Sequence, residues 1–438
     1  MLILWTCLAL SAGFTYAQQG GGLYDSVEAD QLDPAPAIEW INLLYDRIYA
    51  DGVNAPAAAR LYGYAAVTLY EAVLPGMPDN NTLIGQIVSL TELPWPAEDD
   101  LHDWLATADA ALYTVLSGLF VDSPDSQRAF RELRDAHLAA REEANSPAIV
   151  QRSVGFGETL GRALLDWIAQ DGYVERVTEY TPPADDPSTW VPTSRGQNAV
   201  EPGWGSIRTL VLPNADVCAV LPDVPFSTEE NSVFYAQAME VITTSQNLTQ
   251  EQREIAEYWV DTPGLSGTPA GHWVHIAGLM IEQEGFMLNR AAELYAMVGM
   301  TVMDSFIATW SLKYQLPLLR PVTYINEYIN PRWRPHIESP GFPEYPSGHS
   351  TVSASAAAVL TSYFDGPRAF TQDNSSPTGE MLTRSFTSFW AAANEAAISR
   401  LYGGIHYRSA IENGVMMGEC IGNYIVDRIR LNPIRQGE

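Results

Sequence analysis

Apolar residues recur at three- and four-residue intervals along much of this 438-residue chain, and that period commits it to helices. Glu39 to Ile48, Leu101 to Leu119 and Ser126 to Glu143 carry it as amphipathic stripes. Gly271 to Gln283 and Phe286 to Tyr314 read as long helices buried on all sides. Ser227-Thr-Glu-Glu230 and Thr249-Gln-Glu-Gln252 read as capping boxes that open two more. No apolar/polar alternation persists long enough to suggest a sheet. The expected fold is all-α: two packed helical units built as bundles.

Residues 174–226 interrupt this pattern with Pro182-Pro183, Asp186-Pro187, Pro192, Pro202-Gly203 and the run Pro222 to Pro225. Trp190 and Trp204 in the same stretch need burial, so it reads as an ordered connection, not a tether. A boundary near residue 226 divides an N-terminal helical unit, 18–226, from a C-terminal bundle, 227–438, expected to hold the active site. Residues 1–17 have an apolar run from Leu2 to Leu10, then Thr15-Tyr16-Ala17, and read as a cleaved signal peptide. The mature protein is expected to be secreted or periplasmic and to have no membrane span. Cys218 and Cys420 remain; their spacing says nothing about proximity, and they are expected as two buried, unpaired thiols.

The formal net charge of −29 is unevenly spread. Residues 1–299 carry 13 basic and 41 acidic side chains, whereas 300–438 carry 11 and 12. An acidic exterior of this kind disfavours nucleic acid and anionic membrane as partners. The balanced C-terminal part holds Lys313, the one lysine of the chain, so local arginines can dominate the field there. Oligomeric state is not legible.

Three segments of that part carry chemistry. Trp310 and Lys313 fall at the end of one helix, with Arg320-Pro321 just beyond. Lysine supplies a compact three-donor charge and arginine a planar fork, both suited to an oxyanion. Taken alone, that spacing is unspecific and describes a solvated basic pair at a helix end more readily than a site. Next, Pro346-Ser347-Gly348-His349 precedes a small-residue helix, Thr351 to Tyr363. A serine hydroxyl, open backbone N–H groups and a positive helix end favour an anion, though an ordinary capped helix would look the same. Lastly, Arg400 ends a helix running from Phe386 to Ser399, and a Gly403-Gly404 turn delivers His406 to the start of another. Neutral imidazole offers a lone pair for ligation or nucleophilic attack. His102, His137, His272, His275 and His336 match no catalytic motif; His272 draws notice through its neighbours.

The ordered set Lys-x6-Arg-Pro, Pro-Ser-Gly-His and Ser-Arg-x5-His resembles the signature shared by vanadium-dependent haloperoxidases and type-2 phosphatidic-acid phosphatases. Tyr258-Trp-Val-Asp261, Gly271-His-Trp273 and Phe342-Pro-Glu-Tyr345 are similar to the bacterial haloperoxidase branch. The resemblance implies a vanadate cofactor and no haem. Lys313, Arg320, Ser347, Gly348 and Arg400 would hold the non-apical oxygens. His406 would ligate the metal, His349 would be the acid–base group, and Lys313 would polarise bound peroxide. Trp310 and Phe342 would wall the halide side; packing alone would also account for them. Hydrogen peroxide and a halide, iodide or bromide, would be the small-molecule partners, giving hypohalous acid by way of a peroxovanadate. The alternative is a soluble acid phosphatase in which His406 attacks phosphorus; a non-catalytic oxyanion-binding protein would have no use for His349. One departure stands out. The family pattern often has Asp four residues after the second histidine, where this chain has Ala410. Another acceptor, such as a backbone carbonyl, must then orient His406.

Overall fold

The computed structural model describes residues 23–432; the signal peptide expected at 1–17 lies outside the described residues. In the first part of the chain α1 is Ala35–Ala50, α2 Ala55–Val73, α3 Trp104–Leu119, α4 Pro124–Ala144 and α5 Pro147–Ile168. After the proline-punctuated connection come α6 Val233–Gln246, α7 Gln250–Tyr258, α8 Thr268–Gln283, α9 Leu288–Gln315 and α10 Pro321–Tyr328. The last three are α11 Gly348–Tyr363, α12 Phe389–Tyr402 and α13 Arg408–Arg428. The fold is all-α, as the period requires.

Local chemistry explains the boundaries. The Thr249 hydroxyl and Gln252 side chain form the reciprocal capping box expected at the start of α7. Ser227 does not cap a helix. Its hydroxyl accepts from the Glu229 N–H in a turn, and α6 opens later, where Ser232 caps Tyr235 just before the apolar Val233-Phe234. A second correction is the antiparallel hairpin β1 Phe370–Ser375 and β2 Met381–Phe386, in register from Phe370↔Phe386 to Ser375↔Met381. Its sequence escaped notice because Thr-Gln-Asp-Asn-Ser are mostly weak strand formers, and only Phe370 and Phe386 are buried.

Helix α9 is the axis of the molecule. It is long and apolar enough to cross a membrane, yet its most apolar window lies wholly inside the protein. Helix α2 meets it so closely that a Cβ on Gly299 would sit 2.4 Å from the Ala66 Cβ. The larger apolar core draws on residues from Leu23 to Leu431, and a smaller one joins α6 and α10 to α12 and the start of α13. Helix α13 presents Gly414, Gly418 and Gly422 at four-residue spacing to α11; a Cβ on Gly418 would lie 2.2 Å from the Thr351 carbonyl. That contact holds the start of α11 at a fixed height beside the chain carrying Arg400 and His406.

The 174–226 connection is pinned at several points. Trp190 and Trp204 are buried, as anticipated. The Asp304 carboxylate on α9 accepts the N–H groups of Leu210, Val211 and Leu212 at 2.6–2.8 Å. Cys218 and Cys420 are joined in a disulfide with Cα atoms 5.7 Å apart, correcting the expectation of free thiols. The connection packs over α13, which brings together residues separated by 202 positions. Closing so long a loop restricts the unfolded chain, so Cys420→Ser should lower unfolding stability by about 2–4 kcal/mol. Urea unfolding with and without reductant measures this; coincident curves would assign the bond no stabilising role.

Candidate functional site

Five stretches converge below one cavity. The end of α9 supplies Trp310 and Lys313, and Arg320 stands at the N-cap of α10. The loop before α11 supplies Phe342, Glu344 and Ser347. Helix α11 begins at Gly348, three residues earlier than anticipated, so Ser347 is its N-cap and His349 lies in its first turn. Arg400 closes α12; the chain turns at Gly403-Gly404, with Gly404 at φ 76°, and reaches His406 two residues before α13. All three motif segments therefore meet. Lys313, Arg320, Ser347, Arg400 and His406 are buried, and His349 is partly so.

Arg320 is the hub. Its Nη1 donates to the Ile405 carbonyl at 2.9 Å and lies 3.0 Å from His406 Nε2, while its Nε donates to the Phe342 carbonyl at 3.0 Å. Its Nη2 has no partner. Arg400 Nη1 donates to the Trp259 carbonyl, leaving Nε unpartnered. His349 Nε2 is likewise buried without a partner. Lys313 Nζ donates to the carbonyls of Pro343, Glu344 and Pro346 at 2.6–3.1 Å, which uses all three ammonium protons. The lysine thus clamps the loop leading to Ser347, and its effect on the cavity is that of a fixed positive charge.

The orienting role that Ala410 cannot fill is taken by another residue. Glu344, fully buried, places Oε1 2.8 Å from His406 Nδ1 and 2.9 Å from the Tyr407 N–H. His406 is therefore oriented by a carboxylate, not by a backbone carbonyl. The Ala410 carbonyl instead accepts the Ser347 N–H at 3.1 Å. Burial pushes Glu344 up to about 7, with Arg320 opposing. Because Oε1 already accepts from Tyr407, a proton on Glu344 would reside on the unpartnered Oε2. In either state Oε1 accepts from Nδ1–H, and the lone pair sits on His406 Nε2. Burial and the cations Arg320, Lys313 and Arg400 hold His406 well below its ordinary range, so the ring is neutral.

Burial lowers Lys313 well below its usual value, with Arg320 adding to the effect. It takes Arg320 to about 10 and Arg400 to about 9. These depressions reflect three cations gathered in low dielectric. Two carboxylates adjoin them, and both are shared: Glu344 with His406, and Asp261 with His272 at 2.9 Å. An anion among Arg320 Nη2, Arg400 Nε and His349 Nε2 would relieve that excess.

Trp310 and Phe342 form one wall, with ring centroids 4.8 Å apart; Lys313 Nζ is 5.1 Å from the Phe342 centroid. The Trp-Val-Asp and Gly-His-Trp elements also reach the site. Asp261 lines the cavity, and His272 stacks on Trp259 at 4.3 Å while its Nε2 meets Gln372 of the hairpin at 3.0 Å. His336 stands at the cavity mouth, 3.1 Å from Glu257; His102, His137 and His275 are engaged elsewhere, on Trp104, Asp109 and Tyr45. Glu344 falls within the Phe342-Pro-Glu-Tyr345 element, whose residues alone assign the acid no role. An acid in a loop of prolines and aromatics was the available signal.

A family model described as the VCPO second helical-bundle domain matches residues 327–432. A bacterial vanadium-dependent iodoperoxidase, known from its crystal structure, is 32% identical over 93% of this chain and 99% of that one, with a TM-score of 0.85. Bacterial vanadium-dependent chloroperoxidase in its apo form shares the fold at 15% identity and a TM-score of 0.64, over 85% of this chain and 92% of that one. The vanadium chloroperoxidase of Curvularia inaequalis is 23% identical across 34% of this chain, and the match spans about a third (35%) of that relative.

Glu344→Ala should separate orientation from charge. Removing a negative group favours any anion, so sulfate binding should hold or tighten. Orthovanadate, which needs the His406 lone pair, should bind about 10–100-fold more weakly. Isothermal titration of both anions decides; equal behaviour of the two would remove Glu344 from this role.

Proposed function

We propose that this chain, which belongs to the vanadium-dependent haloperoxidase family, oxidises a halide with hydrogen peroxide to hypohalous acid, iodide being the favoured halide. The single observation that supports this most is the buried cation cluster: Arg400 and His349, with unpartnered Nε and Nε2, line one cavity with His406, and Arg320, with an unpartnered Nη2, lies 3.0 Å from His406 Nε2. That donor set suits vanadate. Arg320, Arg400, the Ser347 hydroxyl and the Gly348 N–H would hold its oxygens, His406 Nε2 would ligate vanadium, and Lys313 would supply charge from below. When bound, vanadate supplies Lewis acidity that activates hydrogen peroxide without a change of metal oxidation state.

The residues of the chain do the rest. Arg320 and His406 relinquish their mutual contact and turn Nη1 and Nε2 to the anion. His349, held well below its ordinary range by burial and by Arg400, is neutral and takes a proton from peroxide at Nε2. It returns that proton to the oxygen leaving as water. Trp310 and Phe342 keep bulk water from one side and present an apolar, polarisable face to a large halide. The balance is one halide, one peroxide and one proton to hypohalous acid and water. Iodide rests on the likeness to the iodoperoxidase. Export is part of the proposal and is supported by the Cys218–Cys420 disulfide, a bond that persists in oxidising compartments.

A phosphatase reading gains one specific support, because the Glu344–His406 pair is also what a phosphohistidine nucleophile requires. One set of assays separates the two. Protein loaded with orthovanadate should form triiodide from iodide and peroxide, phosphate should compete with vanadate, and His406→Ala should lose at least 100-fold of the rate. Lys313→Ala should reduce turnover more than vanadate affinity. Cleavage of p-nitrophenyl phosphate with no halide oxidation would reverse the assignment.

A further inference from the structure

The oxyanion site occupies only the floor of a cavity of about 570 Å³. A water molecule takes about 30 Å³, so an oxyanion, a peroxide and a halide together need roughly 200 Å³. The rest is an outer chamber lined by residues other than His349, Arg400 and His406. Its walls are apolar: Val260, Pro263 and Leu265 from the loop before α8, Phe306 from α9, Pro340, and Pro377 from the hairpin turn.

Most polar side chains along the way are already engaged; the buried Ser339 hydroxyl is not. Asn54 caps Ala57 and donates to Glu201, and Gln197 is bonded to Thr193 and to the Ser339 carbonyl. An occupant would therefore be held mainly by burial of its own apolar surface. At the mouth stand the carboxylates Glu257, bonded to His336, and Glu338. They disfavour an entering carboxylate.

We infer that this outer chamber binds an electron-rich aromatic molecule lacking a carboxylate, such as a phenol bearing an amine, and halogenates it in place. The inference rests on the halide oxidation proposed above. The ring carbon bonds to the halogen of hypohalous acid, the O–X bond breaks, and the hydroxide combines with the displaced ring proton as water. Retention beside the floor gives the ring first access to the oxidant before it escapes.

Equilibrium dialysis against vanadate-loaded enzyme without peroxide tests this directly. Tyramine should bind saturably, 4-hydroxyphenylacetate at least tenfold more weakly. Leu265→Trp, at an exposed position on the lip, should weaken tyramine at least fivefold. During turnover with iodide, excess methionine, which consumes free hypoiodite, should leave tyramine iodination largely intact in the parent enzyme and suppress it in Leu265→Trp. No saturable uptake, equal uptake of the two phenols, or indifference to Leu265→Trp would overturn the inference. Triiodide formation without any phenol reports on the preceding proposal alone, so an enzyme that makes triiodide and ignores tyramine sinks only this one.

Discussion

Three cations held in one dry pocket are the constraint around which this molecule is organised. Lys313, Arg320 and Arg400 are almost completely inaccessible to water, and each is pushed toward its neutral form by that burial. Arg320 and Arg400 nonetheless stay charged near neutrality, and their adjoining carboxylates are shared with histidines. A protein retains such an arrangement only when something anionic completes it, since unpaired buried charge is among the most destabilising features a fold can carry. The same imbalance keeps His406 neutral and aims its lone pair inward. Electrostatics and ligation are thus two outcomes of one placement.

Holding like charges together demands rigidity from the surrounding chain. Helix α9 provides it at depth, immersed in the core from Leu288 to Leu312. The Asp304 carboxylate fastens the long connection to that helix, and the disulfide fastens the same connection to α13. Helix α13 sets the height of α11 through its glycine face. Lys313 then grips the loop at Pro343, Glu344 and Pro346, so the residue that adds charge to the floor also shapes the strap bearing Ser347 and Glu344.

Much of this was legible before any coordinates. A 3.6-residue period identifies long helices such as α9 reliably, because burial on all sides leaves a long apolar run. The convergence of Lys313, Arg320, Ser347, His349, Arg400 and His406 followed from three ordered motifs. Three features did not follow. The hairpin hides because its strands are polar and only their terminal phenylalanines are buried. The disulfide hides because separation along a chain carries no information on distance in space. Lys313's three carbonyl partners hide because backbone acceptors leave no mark in the residue alphabet.

The Glu344 case shows why an absent residue is a weaker signal than an absent interaction. A carboxylate four residues after a histidine reaches it along one helix face, so Ala410 looks like a lost partner. What the chemistry requires is an acceptor at Nδ1, and the chain from which it comes is immaterial. Ala410 lies at 0% exposure, with its carbonyl bonded to the Ser347 N–H, so α13 passes tight against the serine cap. The acceptor comes from the other side, on a loop already clamped by the lysine, and it captures the Tyr407 N–H as well. Close helix packing and carboxylate orientation of His406 are therefore compatible here because they are assigned to different segments of the chain.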